Sequence, residues 1–187
     1  MVVDKRRPLN PLTYVPPELV APRVLHTNAP LLRKDAAAAV ETMFAAAKSQ
    51  GVHLVSTSTY RSYEMQKHVL AEDTAQSGAA YANTLDMHPG YSEHQTGWAI
   101  DIGSSTRPAV DFDAAMAHTP EGEWLAANAW QYGFLLSYPK DREKFTGILF
   151  EPWHFRYVGT ALADELHRTG VQTLQEFFGL PASPDYA

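Results

Sequence analysis

The apolar positions that follow residue 34 recur with the period of an α-helix. Val40, Met43, Phe44 and Ala47 have the i, i+3, i+4, i+7 spacing, which predicts a helix over 35–50 that ends before Gly51. Similar patterns, with capping residues at their ends, predict four further helices. These lie over 62–77, from 119 to about 132, over 160–169 and over 173–178.

Short stretches rich in β-branched and aromatic residues predict strands among these helices. They span 52–60, 97–103, 134–138 and 150–158, whereas 79–91, which contains the sequence HPG, is predicted to be a loop. The helices come first, the paired strands come late, and no strand–helix–strand rhythm is present. This order predicts a single compact α+β domain with a small antiparallel sheet flanked by helices.

The first 32 residues have a different character from the rest of the chain. They contain six of the 13 prolines, which favour extended backbone and turns over regular helices. Several leucines and valines lie among these prolines, and they indicate packing rather than disorder. We therefore expect a proline-rich arm over 1–32 that packs on a domain formed by 33–187.

Composition and charge exclude several classes of function. The net charge of −6 and the scattered basic residues argue against nucleic-acid binding. The absence of cysteine excludes a thiol nucleophile and a Cys-based zinc site. No apolar run is long enough to span a membrane, and the N-terminus lacks the apolar region of a signal peptide. On this basis the protein is either cytoplasmic or lacks its targeting segment in this sequence.

Two pairs of residues carry candidate chemistry. His94 precedes Asp101 by seven positions, and Glu151 precedes His154 by three. Two imidazoles and a carboxylate suffice for a catalytic zinc site that keeps a fourth position for water, and a fourth group such as Glu151 would deprotonate that water. Bends near Gly97 and Pro152 would bring the four side chains to one point. The alternative is that Asp101 caps a turn, Glu151 is solvated and both histidines are structural.

Three ordered motifs add a family resemblance. STYRSYEMQ over 58–66, SEHQTGWAIDI over 92–102 and EPWHFRYVG over 151–159 resemble the VanY-type zinc D-alanyl-D-alanine carboxypeptidases. The likeness extends over essentially the whole chain. It implies the compact, hedgehog-like α+β fold of zinc DD-peptidases and one Zn²⁺ ion. It also implies that His94, Asp101 and His154 are the zinc ligands and that Glu151 is the catalytic base.

The same resemblance suggests residues that contact the substrate. Arg61 would act in catalysis by holding the terminal carboxylate or the developing oxyanion with its planar fork of donors, although on its own it could equally form a surface ion pair. Gln66 and Ser92 match polar residues that line the substrate site. Tyr138 and Trp153 are further candidates for the pocket wall, with core packing as their alternative.

Three positions depart from the family pattern. Thr59 stands where many relatives have glycine, Ser137 replaces a frequent arginine, and Trp98 is larger than the usual leucine. None of the three is a proposed ligand, so the expected chemistry is retained. Substrate preference is the property that these departures place in doubt.

The resemblance leads to an expectation of function. We expect a zinc carboxypeptidase that removes the terminal D-alanine of peptidoglycan stem peptides, from either a D-Ala–D-Ala pentapeptide or the L,D bond of a tetrapeptide. An endopeptidase and a non-catalytic, zinc-containing wall-binding module are the alternatives, as is a closed structural zinc site with Glu151 as fourth ligand. We also expect a monomer in the cell envelope or outside the cell, with its leader or anchor absent from this sequence.

Overall fold

Two antiparallel sheets and seven α-helices make up the structure, a computed structural model that describes residues 1–186. The helices are α1 (Lys34–Ser49), α2 (Tyr63–Ser77), α3 (Ala79–Leu85), α4 (Pro120–Asn128), α5 (Glu143–Thr146), α6 (Thr160–Thr169) and α7 (Leu174–Phe177). The strands are β1 (Leu19–Val20), β2 (Leu32–Arg33), β3 (Leu54–Ser58), β4 (Ala99–Ser104), β5 (Phe134–Leu136) and β6 (His154–Tyr157). Short 3₁₀ helices span Glu93–Thr96, Pro108–Val110, Ala114–His118 and Ala129–Tyr132.

The larger sheet has the strand order β3-β4-β6-β5, and every neighbouring pair in it is antiparallel. This confirms the predicted α+β class with a small antiparallel sheet. The register opposes Asp101 of β4 to His154 of β6, and Ser58 of β3 to Asp101 on its other side. The three residues therefore form a row across the sheet, and a bulge between Ser56 and Ser58 shifts the register beside it.

The core lies between α1 and the larger sheet. Val40 and Met43 of α1 are fully buried, as are Ile100 and Ile102 of β4, and all four belong to one apolar cluster. Each side chain of this size stabilises the fold by roughly 1.5–3 kcal/mol when it is removed from water. The structure confirms the predicted helix over 35–50 to within one residue at each end. The buried face of α1 packs against the sheet on the side opposite the candidate site.

One predicted loop is partly wrong. Residues 79–91 were expected to lack regular structure, but Ala79–Leu85 forms α3, which follows α2 after a break at Gly78 with φ of +82°. Ala82 of α3 is fully buried, so tertiary contacts stabilise a helix too short to persist in isolation. The predicted helix from 119 to 132 is divided in a similar way, because α4 ends at Asn128 and a 3₁₀ helix continues to Tyr132.

The N-terminal segment runs along the domain with little regular structure. Val3 and Leu9 are buried, whereas Leu12 and Val15 are exposed. The Gln95 side chain donates hydrogen bonds to the carbonyl oxygens of Leu12 (2.6 Å) and Tyr14 (3.0 Å), which ties this segment to the turn that carries His94. The division into an arm over 1–32 and a domain over 33–187 stays a prediction. Among residues 1–186, none of the helices combines the length and the apolar character that crossing a bilayer requires.

Candidate metal centre and its cleft

Three side chains from three separate elements converge at one end of the sheet. His94 lies in the 3₁₀ turn Glu93–Thr96, Asp101 in the middle of β4, and His154 at the start of β6. His94 Nε2 is 3.2 Å from Asp101 Oδ2, and His154 Nδ1 is 3.1 Å from Asp101 Oδ1. Residues that oppose each other in a sheet point to the same face, so the register of β4 with β6 places two of the three side chains together.

The donor atoms of this cluster fit a cation. His94 Nε2 and Asp101 Oδ1 are buried and have no hydrogen-bond partner. One possible ligand atom from each of His94, Asp101 and His154 lies within 4.8 Å of the others. The 3.2 and 3.1 Å separations, which join the two imidazoles to different oxygens of Asp101, are each near the distance of about 3.4 Å between two ligand atoms of a tetrahedral zinc site. A buried carboxylate and two imidazole nitrogens are also donors that zinc prefers.

The hydrogen bonds behind the two imidazoles determine which nitrogen each presents. The Thr59 carbonyl accepts a hydrogen bond from His94 Nδ1 at 2.6 Å, which leaves Nε2 free to act as a ligand. His154 is turned the other way, because its Nε2 donates to Glu93 Oε2 at 3.1 Å and its Nδ1 faces Asp101. The two histidines therefore offer different nitrogens to the same point.

Glu93 is a buried residue beside His94 that was not among the predicted site residues. Its Oε2 accepts hydrogen bonds from His154 and from Ser137 Oγ (2.6 Å), and its Oε1 lies 3.3 Å from Arg156 Nη1. Burial by itself would raise the pKa of Glu93, but the charge of Arg156 and the hydrogen bond from His154 outweigh it and lower the pKa to about 2. Sequence spacing does not predict this cluster, because Arg156 lies 63 positions from Glu93 in the chain.

The titration of the histidines follows from their surroundings. Burial, reinforced by the charge of Arg61, lowers the pKa of His94 to about 4. Burial also disfavours the charged form of His154, but the carboxylates of Asp101 and Glu93 more than offset it and raise the pKa to about 10. Without a metal, the charges of these two carboxylates favour the protonated form of His154. A metal would displace the proton from Nδ1, so metal binding is expected to release protons.

The bend predicted at Pro152 brings Glu151 to the ligand side of the sheet. The backbone N–H of His154 donates to the Glu151 carbonyl at 3.2 Å, which closes a turn with Pro152 at its second position, where proline is favoured. Glu151 Oε2 lies 3.8 Å from His154 Nδ1. Burial raises the pKa of Glu151 well above its usual value, which makes the carboxylate a stronger proton acceptor.

A cleft of about 440 Å³ opens over the cluster. Four of the predicted substrate residues line it together with the three ligands and Glu151: these are Arg61, Ser92, Tyr138 and Trp153. The Tyr138 ring lies 4.7 Å from the ring of His154, between centroids. Ser92 Oγ accepts a hydrogen bond from the backbone N–H of His94 at 3.3 Å, so it caps the ligand turn as well as facing the cleft.

Gln66 is placed differently from its prediction. It was expected to line the substrate site, but its side chain is fully buried and is not part of the cleft wall. Gln66 Nε2 donates to the carbonyl of Met87 at 2.8 Å, and Met87 does line the cleft. Helical spacing on α2 turns Gln66 toward the interior, so the residue supports the wall from behind.

Several residues of the cleft were not predicted, and three of them affect its charge or its wall. Asp86 Oδ1 lies 3.7 Å from Arg61 Nη1, and Asp73 lines the cleft beside it. Phe112 is 53% exposed at a backbone φ of +60°, and its ring meets Trp153 edge-on with centroids 6.1 Å apart. Asp86 and Phe112 lie outside the regular elements and Asp73 lies on α2, and sequence spacing predicts the position of none of them relative to the site.

Two of the three departures from the family pattern, Thr59 and Ser137, contact a ligand or its hydrogen-bond partner. Thr59 supplies the carbonyl behind His94, and its hydroxyl accepts from the backbone N–H of Leu31 at 2.9 Å. Ser137 donates to Glu93. Trp98 lies between two cations, with its ring 4.4 Å from the Arg33 guanidinium and 5.2 Å from that of Arg156.

A converging His–Asp–His set with a spare carboxylate at an open cleft is the arrangement of a mononuclear metallohydrolase. Comparisons with known proteins agree with this class. A family model described as VanY, D-alanyl-D-alanine carboxypeptidase, matches residues 29–160. The putative carboxypeptidase YodJ of Bacillus subtilis (strain 168) is 39% identical over 182 residues, which cover 95% of this chain and 66% of YodJ.

Two solved structures are similar over nearly the whole chain. The LdcB LD-carboxypeptidase has a TM-score of 0.86 and 39% identity, over 95% of this chain and 84% of that one. A variant of the vancomycin resistance D,D-pentapeptidase VanY in complex with Zn(II) has a TM-score of 0.79 and 28% identity, over 95% of this chain and 97% of that one. The chain belongs to the VanY D-alanyl-D-alanine carboxypeptidase family, which confirms the resemblance seen in its motifs.

Proposed function

We propose that the protein is a zinc-dependent carboxypeptidase that removes the terminal D-alanine from peptidoglycan stem peptides. The observation that carries the proposal is the convergence of the His94–Asp101–His154 cluster, Glu151 and Arg61 on one cleft. The family description, and the Zn(II) in a similar VanY structure, support the choice of substrate and metal. Because a structural metal site would be closed by a fourth ligand, the open cleft favours a catalytic role.

The metal would be held by His94 Nε2, Asp101 and His154 Nδ1. When bound, it supplies Lewis-acid polarisation of the scissile carbonyl and lowers the pKa of water. Glu151 lies 3.8 Å from His154 Nδ1, and burial, reinforced by the charges of Asp101 and Asp86, raises its pKa well above its usual value. In the proposed mechanism it accepts the proton of the attacking water and delivers it to the departing amine.

Arg61 supplies the recognition of a chain end. Its guanidinium lines the cleft, and its 3.7 Å approach to Asp86 is too long for a hydrogen bond, so its donors stay available. A planar fork of N–H groups matches a carboxylate in two-point contact. We propose that Arg61 holds the terminal carboxylate of the substrate or the developing oxyanion, and that Ser92, Tyr138 and Trp153 form the remaining wall.

Purified protein loaded with Zn²⁺ and incubated with tetrapeptide and pentapeptide muropeptides tests this function. We expect mass spectrometry to show the loss of one alanine, and the loss to stop with a chelator and to return with added Zn²⁺. Absence of any metal-dependent loss of mass from either peptide would contradict the proposal.

A Glu151→Gln variant separates the enzyme from its alternatives. We expect an unchanged zinc content and a rate lower by a factor on the order of 10³ or more, because the variant loses the proton acceptor but keeps the ligands. Glu123→Gln, at an exposed position of α4, is the matched control and should keep the full rate. If Glu151 closes a structural site instead, its replacement should weaken metal binding and lower the melting temperature.

The location of the protein follows from the proposed substrate. Peptidoglycan lies outside the cytoplasmic membrane, so we propose that the protein acts in the cell envelope or outside the cell. Fractionation of the source cells would contradict this if the protein were recovered only from the cytoplasm. The expected monomeric state stays a prediction.

A further inference from the structure

A buried carboxylate lies directly behind His154, on the side away from the cleft. Glu93 is 5% exposed, and one of its oxygens accepts the Nε2–H of His154 at 3.1 Å and the hydroxyl of Ser137 at 2.6 Å. The other oxygen faces the Arg156 guanidinium at 3.3 Å, and the exposure of Arg156 is 2%. These partners satisfy both oxygens of Glu93 without any contribution from the cleft.

We propose that Glu93 is a positioning residue of the metal centre, which holds the proton of His154 on Nε2 and so presents Nδ1 to the metal. The inference rests on the proposed function, because it assumes that His154 is a ligand. It assigns to Glu93 a role at the site although Glu93 touches neither the substrate nor the metal.

The chemistry of imidazole gives the reason for such a partner. A neutral histidine carries its proton on either nitrogen, and only the unprotonated one can bind a metal. Nδ1 of His154 is the atom that faces Asp101, at 3.1 Å, so the proton has to stay on Nε2. A charged acceptor at Nε2 favours this tautomer, fixes the plane of the ring and makes Nδ1 a stronger donor to the metal.

The energetic cost of Glu93 supports a role beyond stability. A buried ion pair contributes little net stability compared with apolar side chains of the same volume, because both ions lose their hydration. Arg156 offsets the charge of Glu93 and in turn packs against the Trp98 ring at 5.2 Å. Three polar side chains, those of Glu93, Ser137 and Arg156, are thus gathered behind one ligand, in a region that apolar side chains could otherwise fill.

The same chain contains a matched control. Glu121 is 1% exposed and lies 3.1 Å from Arg107 Nη1, so it is also a buried carboxylate paired with arginine. It is not part of the cleft wall and does not contact the ligands. Glu121→Gln should therefore share the general effect of removing a buried charge without changing the metal centre.

The test measures Zn²⁺ affinity by competition with a chromogenic chelator for the wild type, Glu93→Gln, Glu93→Leu and Glu121→Gln. We expect Glu93→Gln to bind about 10-fold more weakly, since it keeps an acceptor without the charge, and Glu93→Leu up to about 100-fold more weakly. Glu121→Gln should bind as the wild type does. The visible spectrum of the Co²⁺-substituted protein should change in the Glu93 variants only.

Two measurements make the outcome decisive. If both Glu93 variants bind Zn²⁺ with wild-type affinity and give the wild-type Co²⁺ spectrum, the inference is overturned while the proposed function stands. If the wild type itself binds no Zn²⁺, the proposed function is contradicted before the role of Glu93 can be tested.

Nitrogen-15 NMR of the Zn²⁺-loaded wild type needs no variant to fold, and it should show His154 coordinated through Nδ1 with its proton on Nε2. Coordination through Nε2 would overturn the inference.

Discussion

Asp86 places a negative charge beside the cation that is proposed to recognise the substrate. Burial, together with the neighbouring Asp73, raises the pKa of Asp86 to about 7 against the opposing charge of Arg61. The Asp86 carboxyl is therefore close to the balance between its neutral and charged forms at neutral pH. At the scale of single residues, the charge beside Arg61 depends on pH near neutrality.

The pH dependence of stability should report this arrangement in the metal-free protein. The pKa of Asp86 is about 7 when folded and 3.8 in its ordinary state, so between these values the folded chain keeps a proton that the unfolded chain loses. The contribution of Asp86 to the free energy of unfolding is therefore most favourable below pH 4. It falls as the pH rises to 7 and stays low above pH 7. We expect Asp86→Asn to be more stable than the wild type at pH 8, by at most about 4 kcal/mol, and to lose this advantage near pH 4.

Denaturant unfolding of the chelator-treated protein at pH 4, 6 and 8 measures this difference. Asp164→Asn, at an exposed position of α6, is the control and should give no gain that depends on pH. Parallel stability curves for the wild type and Asp86→Asn across this range would show that Asp86 has an ordinary pKa.

At the scale of elements, the turn between His94 and Asp101 determines whether their side chains can bind the same metal ion. The 3₁₀ helix Glu93–Thr96 ends at Gly97, whose φ of +74° reverses the chain into β4. The Gly97 carbonyl also accepts from the backbone N–H of Arg33 at 2.8 Å. A Cβ at position 97 would lie 3.0–3.1 Å from side-chain atoms of Pro16, Leu19 and Arg33.

We expect Gly97→Ala to lower the stability by about 1–2 kcal/mol from the left-handed backbone alone, and by more from crowding. Gly51→Ala is the matched control, since Gly51 has φ of +76° with no atom near its added Cβ. Both variants should lose stability in denaturant unfolding, but only Gly97→Ala should also weaken Zn²⁺ binding, because the turn carries His94. Equal Zn²⁺ affinity in both variants would show that the turn tolerates the displacement.

At the scale of the whole molecule, the candidate centre joins parts of the chain that are remote in sequence. His94 precedes the sheet, Asp101 lies in an inner strand and His154 begins the next strand in space. The unfolded chain does not hold these three groups together, so a metal that binds them favours the folded state. Stability and metal binding should therefore be linked by mass action.

Added Zn²⁺ should raise the melting temperature, with about 2.7 kcal/mol of stabilisation at a free concentration 100 times the dissociation constant. His154→Ala should abolish most of this rise, and His118→Ala, which replaces an exposed histidine outside the cleft, should retain it. Thermal unfolding followed at increasing Zn²⁺ measures the effect. A rise of equal size in both variants would place the stabilising metal elsewhere.

The sequence by itself determined most of the longer elements and singled out the candidate ligands. The helical period of Val40, Met43 and Phe44 is a local property that survives in the fold, and so is the proline turn that follows Glu151. Short motifs also identified the family, because ligand chemistry constrains residue type at close spacing. The helix over Ala79–Leu85 was missed, since contacts with the rest of the protein rather than local pattern stabilise it.

Only the tertiary structure decided how these residues are supported and which of them face the cleft. It joined Glu93 to His154 and Arg156, placed Asp86 beside Arg61, and buried Gln66 behind the wall. Each of these contacts links positions that lie 21 or more residues apart, or that lie on different elements. Their geometry depends on strand register and on the packing of helices against the sheet, and no local pattern of polar and apolar residues encodes it.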